Sequence, residues 1–178
     1  MQINQLNNEE AAWLEKVRFK IAFNKDTADY GLFLQNLLVS SRNFDNARFV
    51  AAIALAGEQL ILYLNFTVLM QMSIEAGAEI VIHEILHPIN GHTGSRGAAL
   101  RERYGAEIFG IAVDLVVNQY INLQPLIDAG IPPVSFDTEV ELKHGIFTLR
   151  ALGFEPNQIA AEYAEQLSKL DWKEPPKD

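Results

Sequence analysis

The sequence predicts an α+β fold, and three observations carry that prediction. Two short β-prone runs, Phe49–Ala56 and Gln59–Asn65, flank the dipeptide Gly57-Glu58. Apolar residues recur at spacings of three and four from Ile74 to Ile89, and again from Leu100 to Val116. The first pattern suits a hairpin in a small sheet; the other two suit long helices packed on it.

Taken in order, residues 7–24 form the first predicted helix. Asn7 or Asn8 can cap it, acids follow in its first turn, and Leu14, Val17 and Ile21 share one face. Asn24-Lys25-Asp26 marks its exit. A second, short helix is predicted around Gly31–Val39, and the polar run Ser40–Asn46 reads as a loop. In the hairpin, Gly57 stands first in a two-residue loop, which favours a type II′ turn. Leu60, Leu62 and Leu64 then face one way and Gln59, Ile61 and Tyr63 the other. The alanines of Ala51–Ala56 leave a helix open as the alternative there.

Ser73 can cap a helix running to about His87, with Ile74, Ala78, Val81, Ile82, Ile85 and Ile89 as its core-facing stripe. Pro88 lacks the N–H that the ladder needs, and Asn90-Gly91 is a strong stop signal. Ala98–Asn122 reads as one further long helix. Gly130–Val134, with Pro132-Pro133, is a connector, and Asn157–Leu170 reads as a final helix capped by Asn157. A single domain over 1–172 is expected, with 173–178 as a disordered tail.

The 178 residues carry a net charge of -9, from 14 basic and 23 acidic side chains. No Lys/Arg run interrupts that balance, which argues against a nucleic-acid groove or an anionic membrane as partner. The absence of cysteine excludes disulfides and thiolate metal sites, and it fits a reducing, cytoplasmic setting. The N-terminus has neither the basic start nor the apolar core of a signal peptide. The greasiest stretch, Leu60–Met72, contains Asn65 and falls short of the ~20 residues of a membrane span.

Three of the four histidines lie within ten residues: His83, His87 and His92. His83 and His87, at i and i+4, project from one face of the predicted helix, beside Ile80 and Glu84. This is the His-Glu-x-x-His arrangement of zinc hydrolases. Two neutral imidazoles bind the ion, which makes hydroxide available near pH 7. Glu84, next to the first histidine, is placed to take the water's proton and pass it to a leaving amine. The competing reading is two surface histidines on a helix.

Two residues compete for the third ligand. His92 would point away on a continuous helix, but Pro88 and Gly91 allow the chain to turn and bring it back. Asp114 is an acid amid Ala112-Val113 and Leu115-Val116-Val117, which is costly to bury unless it is paired or bound to metal. It shares a helical face with Glu107 and Asn118. The simpler roles are a partner that fixes a ligand imidazole for Asp114, and a loop residue for His92. Arg96 and Arg101 as anion binders, and Tyr104 or Tyr120 as donors to a tetrahedral intermediate, are weaker candidates. His144, near Glu139 and Glu141, reads as a surface residue.

His83-Glu84-Ile85-Leu86-His87, then His92 and Arg96, then Ala112, Asp114 and Asn118 follow in an order that resembles a bacterial and phage family of zincin-like metallopeptidases. Members of that family often precede a von Willebrand factor A domain. The resemblance covers roughly residues 15–125, including the strand ending at Leu64-Asn65. It implies a zincin-like fold, His83 and His87 as ligands of one zinc ion, Glu84 as catalytic base, and His92 and Asp114 as the remaining site residues. Two departures stand out. Phe66 follows Asn65 where the family has proline, and no Asp-x-Ser-x-Ser motif of a von Willebrand domain is present.

The expected activity is metal-assisted hydrolysis of a protein or peptide amide. A zinc-stabilised binding or assembly module without turnover is the alternative from a different class. A site closed by all four of His83, His87, His92 and Asp114 would favour it. Hydrolysis of a non-peptide amide is the third option.

Overall fold

The computed structural model describes residues 3–42, 50–131 and 146–170. It is of mixed α+β type, and Met1–Thr93 and Gly94–Asp178 form two compact units. Length alone does not resolve such a grouping. The predicted tail 173–178, Pro132-Pro133, Phe49 and His144 lie outside the described residues.

In the first unit, helix α1 spans Asn8–Ala22. Asn7 caps it: the Oδ1 of Asn7 accepts from Glu9 and Glu10 N–H, while Glu10 Oε2 accepts from Asn7 N–H at 2.8 Å. Leu14, Val17 and Ile21 are buried as their spacing predicts, together with Trp13. Helix α2 covers Ala28–Gln35 and stops short of the expected Val39. Leu38–Ser41 instead forms a strand, β1, where the sequence suggested a helix end and a loop. Long-range pairing explains the difference. β1 runs parallel to β3 (Gln59–Leu64), with Leu38 opposite Ile61 and Ser41 opposite Leu64. The buried Ser40 hydroxyl accepts from Asn4 N–H at 3.0 Å.

Strand β2 (Ala51–Ala56) pairs antiparallel with β3 through Gly57-Glu58, so the sheet order is β1-β3-β2. Gly57 has φ +63° and Glu58 does not share that sign, as a type II′ turn requires. β3 is central, and Ile61, Leu62, Tyr63 and Leu64 are all buried, so both of its faces are covered. A one-turn helix, α3 (Phe66–Leu69), follows directly.

Helix α4 runs Ile74–Ile89, capped by Ser73 Oγ, which accepts from Ala76 N–H at 3.1 Å. Ala78, Val81, Ile82 and Ile85 of the predicted stripe are buried, with Ile80 and Leu86 beside them. At the two ends of the stripe, Ile74 is only half-buried and Ile89 is 51% exposed. Burying a side chain such as Ile85 contributes about 1.5–3 kcal/mol relative to leaving it in water. α4 packs on α1 and lies against β2. Gly77 makes the helix contact close, because a Cβ built there would sit 2.4 Å from Trp13 Cζ2. The Trp13 ring meets Phe66 edge-on at 5.6 Å.

In the second unit, the expected single helix over 98–122 is two: α5 (Ser95–Tyr104) and α6 (Ala106–Val117). The break is Gly105, at φ +84° and ψ 165°, a backbone conformation essentially reserved for glycine. Its N–H closes α5 on Arg101 O, and its carbonyl opens α6 by accepting from Phe109 N–H. α7 (Gln124–Asp128) and α8 (Leu149–Leu152) are short. The last helix, α9, is Ala160–Leu167 rather than 157–170. Asn157 does not cap it. It sits at φ +62° with its N–H donated to Gln119 Oε1, and Glu162 Oε2 accepts from Ile159 N–H at the true start. Ile111, Ala112, Leu115 and Val116 of α6 pack with Tyr163, Ala164 and Leu167 of α9, and Leu100, Tyr104 and Ile108 flank this core. Among the described residues no helix is long and apolar enough to cross a membrane.

Glycine-to-alanine in a helix ordinarily stabilises by about 1 kcal/mol. Gly77→Ala should instead lower the urea-unfolding free energy by ~1–3 kcal/mol through overlap with Trp13. Combining it with Trp13→Leu should recover part of that loss in a double-mutant cycle. At the α5/α9 contact, Tyr104 OH donates to Glu165 Oε2 at 2.9 Å, and Lys169 Nζ lies 3.1 Å from Glu165 Oε1. The Tyr104 hydroxyl, then Lys169, hold the Glu165 carboxyl below its ordinary 4.5, while donation to Glu165 holds Tyr104 above its ordinary 10.0. The carboxylate's contribution is therefore present above pH 4.5 and lost as pH falls through the lowered value. The tyrosine's is present below pH 10.0 and lost as pH rises through the raised one. Tyr104→Phe should flatten the stability profile at both ends, read as unfolding midpoints from pH 3 to 11.

Candidate metal centre

α4 places the candidate residues by its own periodicity. With Val81, Ile82 and Ile85 turned into the core, His83, Glu84 and His87 fall on the flank of the helix, and all three are half-buried. His83 Nε2 and His87 Nε2 face each other at 3.1 Å. Their rings lie 4.8 Å apart at 77°, edge to face rather than stacked. Two nitrogens 3.1 Å apart can both reach one ion at the usual 2.0–2.1 Å, subtending roughly 100° there, close to a tetrahedral angle. The donor pair thus has the spacing of two ligands to one small metal ion, without selecting which one. Without one, the same contact is a single N–H···N hydrogen bond in which one ring donates.

The helix end decides where His92 goes. Pro88 sits inside the last turn, and α4 continues past it to Ile89, two residues beyond the predicted end. The chain then closes in a Schellman turn. His92 N–H donates to His87 O at 2.9 Å and Gly91 N–H to Pro88 O at 3.0 Å, while Asn90 Nδ2 donates to Leu86 O at 2.8 Å. Gly91 takes φ +75° to make this turn. The result folds His92 back onto His87, as Pro88 and Gly91 allow. The contact runs through the other side of the His87 ring: His87 Nδ1 and His92 Nδ1 are 3.1 Å apart. The two ring nitrogens of His87 thus face different histidines.

Asp114 lies in the second unit, on α6. It is half-buried between Val113 and Leu115, both buried, and it interrupts a helix whose last two turns are otherwise apolar. Glu107, two turns earlier, is exposed. Asn118, the C-cap of α6, donates from Nδ2 to Phe147 O at 3.0 Å.

The weaker candidates are set apart. Arg96 and Arg101 are exposed on α5, Tyr104 is engaged with Glu165, and Tyr120 is exposed. Asn90 adds a side-chain bond to the helix end that residue spacing does not announce. Its signal is the run Pro-Ile-Asn-Gly before His92, which spells a glycine-closed helix end.

No protein-family model matches the chain, and neither does any curated protein or any solved structure.

Gly91 offers a direct test of the turn. A Cβ there would meet nothing within 4 Å, so the cost of a side chain is purely conformational. Gly91→Ala should destabilise by about 1–2 kcal/mol, and Gly91→Asn by less, because asparagine enters the left-handed region more readily. Urea-unfolding midpoints of the two variants measure this difference.

Proposed function

We propose that the chain is a zinc-dependent hydrolase of zincin-like type, a metallopeptidase in which His83, His87 and Asp114 hold one metal ion and Glu84 is the catalytic base. The observation that carries this reading is the facing of His83 Nε2 and His87 Nε2 across 3.1 Å on the flank of α4. Asp114 is the third donor in this proposal. Its support is the sequence: an acid amid Ala112-Val113 and Leu115-Val116-Val117, where coordination would offset the cost of placing a carboxylate in an apolar helix. Two imidazoles and one carboxylate would hold the ion with the type of donor set found in catalytic zinc sites. When bound, zinc supplies a Lewis acid that brings the pKa of a coordinated water to about 7.

The side chains of this chain do the rest. His83 and His87 bind through Nε2, which requires both nitrogens to be unprotonated. The Glu84 carboxylate takes a proton from water and returns it to the nitrogen of the departing amine. An extended peptide as substrate is supported by β2, which forms one edge of the described sheet and lies against α4. A reducing, cytoplasmic setting belongs to the same proposal and rests on the absence of cysteine.

Elemental analysis of the purified protein should find about one zinc per chain, lost in His83→Ala and weakened in Asp114→Ala. Glu84→Gln should keep the metal and lose hydrolysis of a quenched-fluorescent peptide library by about 10²–10⁴-fold. A zinc-loaded Glu84→Gln protein as active as the wild type would sink the mechanism. Zinc bound normally with no Glu84-dependent turnover would point to the non-catalytic binding module instead.

A further inference from the structure

We infer that His92 is a positioning residue rather than a metal ligand: it fixes His87 in the tautomer that leaves Nε2 unprotonated. The inference rests on the metal-binding reading of His83 and His87 and adds a role for a third histidine to it.

Where the single proton of the His87 ring sits decides which of its nitrogens can bind a metal. A neutral imidazole carries one N–H and one lone pair. His87 has a nitrogen neighbour on each side, His83 Nε2 at 3.1 Å from its Nε2 and His92 Nδ1 at 3.1 Å from its Nδ1. The Nδ1 contact needs one proton between the two rings. If His92 donates it, His87 must carry its own proton on Nε2, where a metal would bind. If His87 donates it, Nε2 keeps its lone pair, and His92 accepts at Nδ1 with its proton on Nε2. Only the second arrangement allows His87 to be a ligand through Nε2.

The same geometry removes His92 Nδ1 from the coordination sphere. The two nitrogens of one imidazole point away from opposite sides of the ring. An ion on His87 Nε2 therefore lies across the ring from His92 Nδ1. The rings of His87 and His92 are 5.3 Å apart at 60°, so the contact is lateral and not a stack.

The turn holds this arrangement through the backbone. His92 N–H is bound to His87 O, so the acceptor ring and the ring it orients are tied at the main chain as well as at the side chains. Partners on the outer nitrogen of a ligating histidine raise its basicity and lock its orientation, and losing one weakens metal binding roughly 10–100-fold.

The test has a metal-free and a metal-loaded arm. In the protein stripped with chelator, long-range ¹H–¹⁵N NMR of the imidazoles reads each tautomer. His87 should be protonated at Nδ1 and His92 at Nε2, and the His87 preference should be lost in His92→Ala. Finding His87 protonated at Nε2 in the wild type would overturn the inference, whatever the metal does. In the loaded arm, zinc affinity is measured by competition with a chromophoric chelator. His92→Ala should bind roughly 10–100-fold more weakly at unchanged stoichiometry. His92→Asn, whose Oδ1 can accept where Nδ1 did, should stay near the wild-type affinity, and the cobalt(II) absorption bands should keep their positions in both variants. Unchanged affinity in His92→Ala would overturn the inference. So would loss of metal in both variants to the extent seen in His83→Ala, with shifted cobalt bands, which would make His92 a ligand. A wild-type protein that binds no zinc would refute the hydrolase reading, and the tautomers would still decide the role of His92.

Discussion

Burial of one face of α4 is the constraint on which the candidate centre depends. Val81, Ile82 and Ile85 can enter the core only if the helix is rotated so that His83, Glu84 and His87 lie on its flank. The rotation is enforced at short range by Trp13, whose ring occupies the space that a side chain at position 77 would need. The rotation about the helix axis that places three titratable side chains is thus set by apolar packing. Hydrophobic burial carries most of the energy available to a fold of this size, so the polar flank inherits its position from it.

The end of the same helix shows how local backbone chemistry adds to that placement. Pro88 removes one N–H from the ladder, and Gly91 supplies the left-handed residue that closes it. Between them, six residues from His87 to His92 return the chain on itself, and the hydrogen bonds that satisfy the helix carbonyls are the ones that bring the two rings together. Capping and site assembly are one structural event here. A helix that ran on straight would have carried His92 two and a half turns beyond His83 and onto another face.

The second unit is organised around α6, apolar nearly all round and bounded at its start by Gly105. The break there separates α5 from α6 while both contribute to the core with α9. Asp114 stands out against that background. A half-buried carboxylate in such a helix has to be compensated, because burial in apolar surroundings disfavours its charged form.

Much of this was legible in the residues themselves, because it depends on local rules. The Asn7 and Ser73 caps, the Gly57-Glu58 hairpin, the buried faces of α1 and α4 and the common projection of His83 and His87 follow from spacing and turn chemistry. What tertiary structure decided is of another kind. Leu38–Ser41 became a strand because β3 offers it a parallel partner, which no local propensity encodes. Gly105 split a continuous apolar period because a periodic pattern does not register a backbone break that leaves the phase nearly intact. The sequence by itself determined which side chains share the flank of α4. Only the folded chain determined which nitrogen of His87 faces His83 and which faces His92, since that choice lies in side-chain rotation and turn geometry, below the reach of any pattern of residue types.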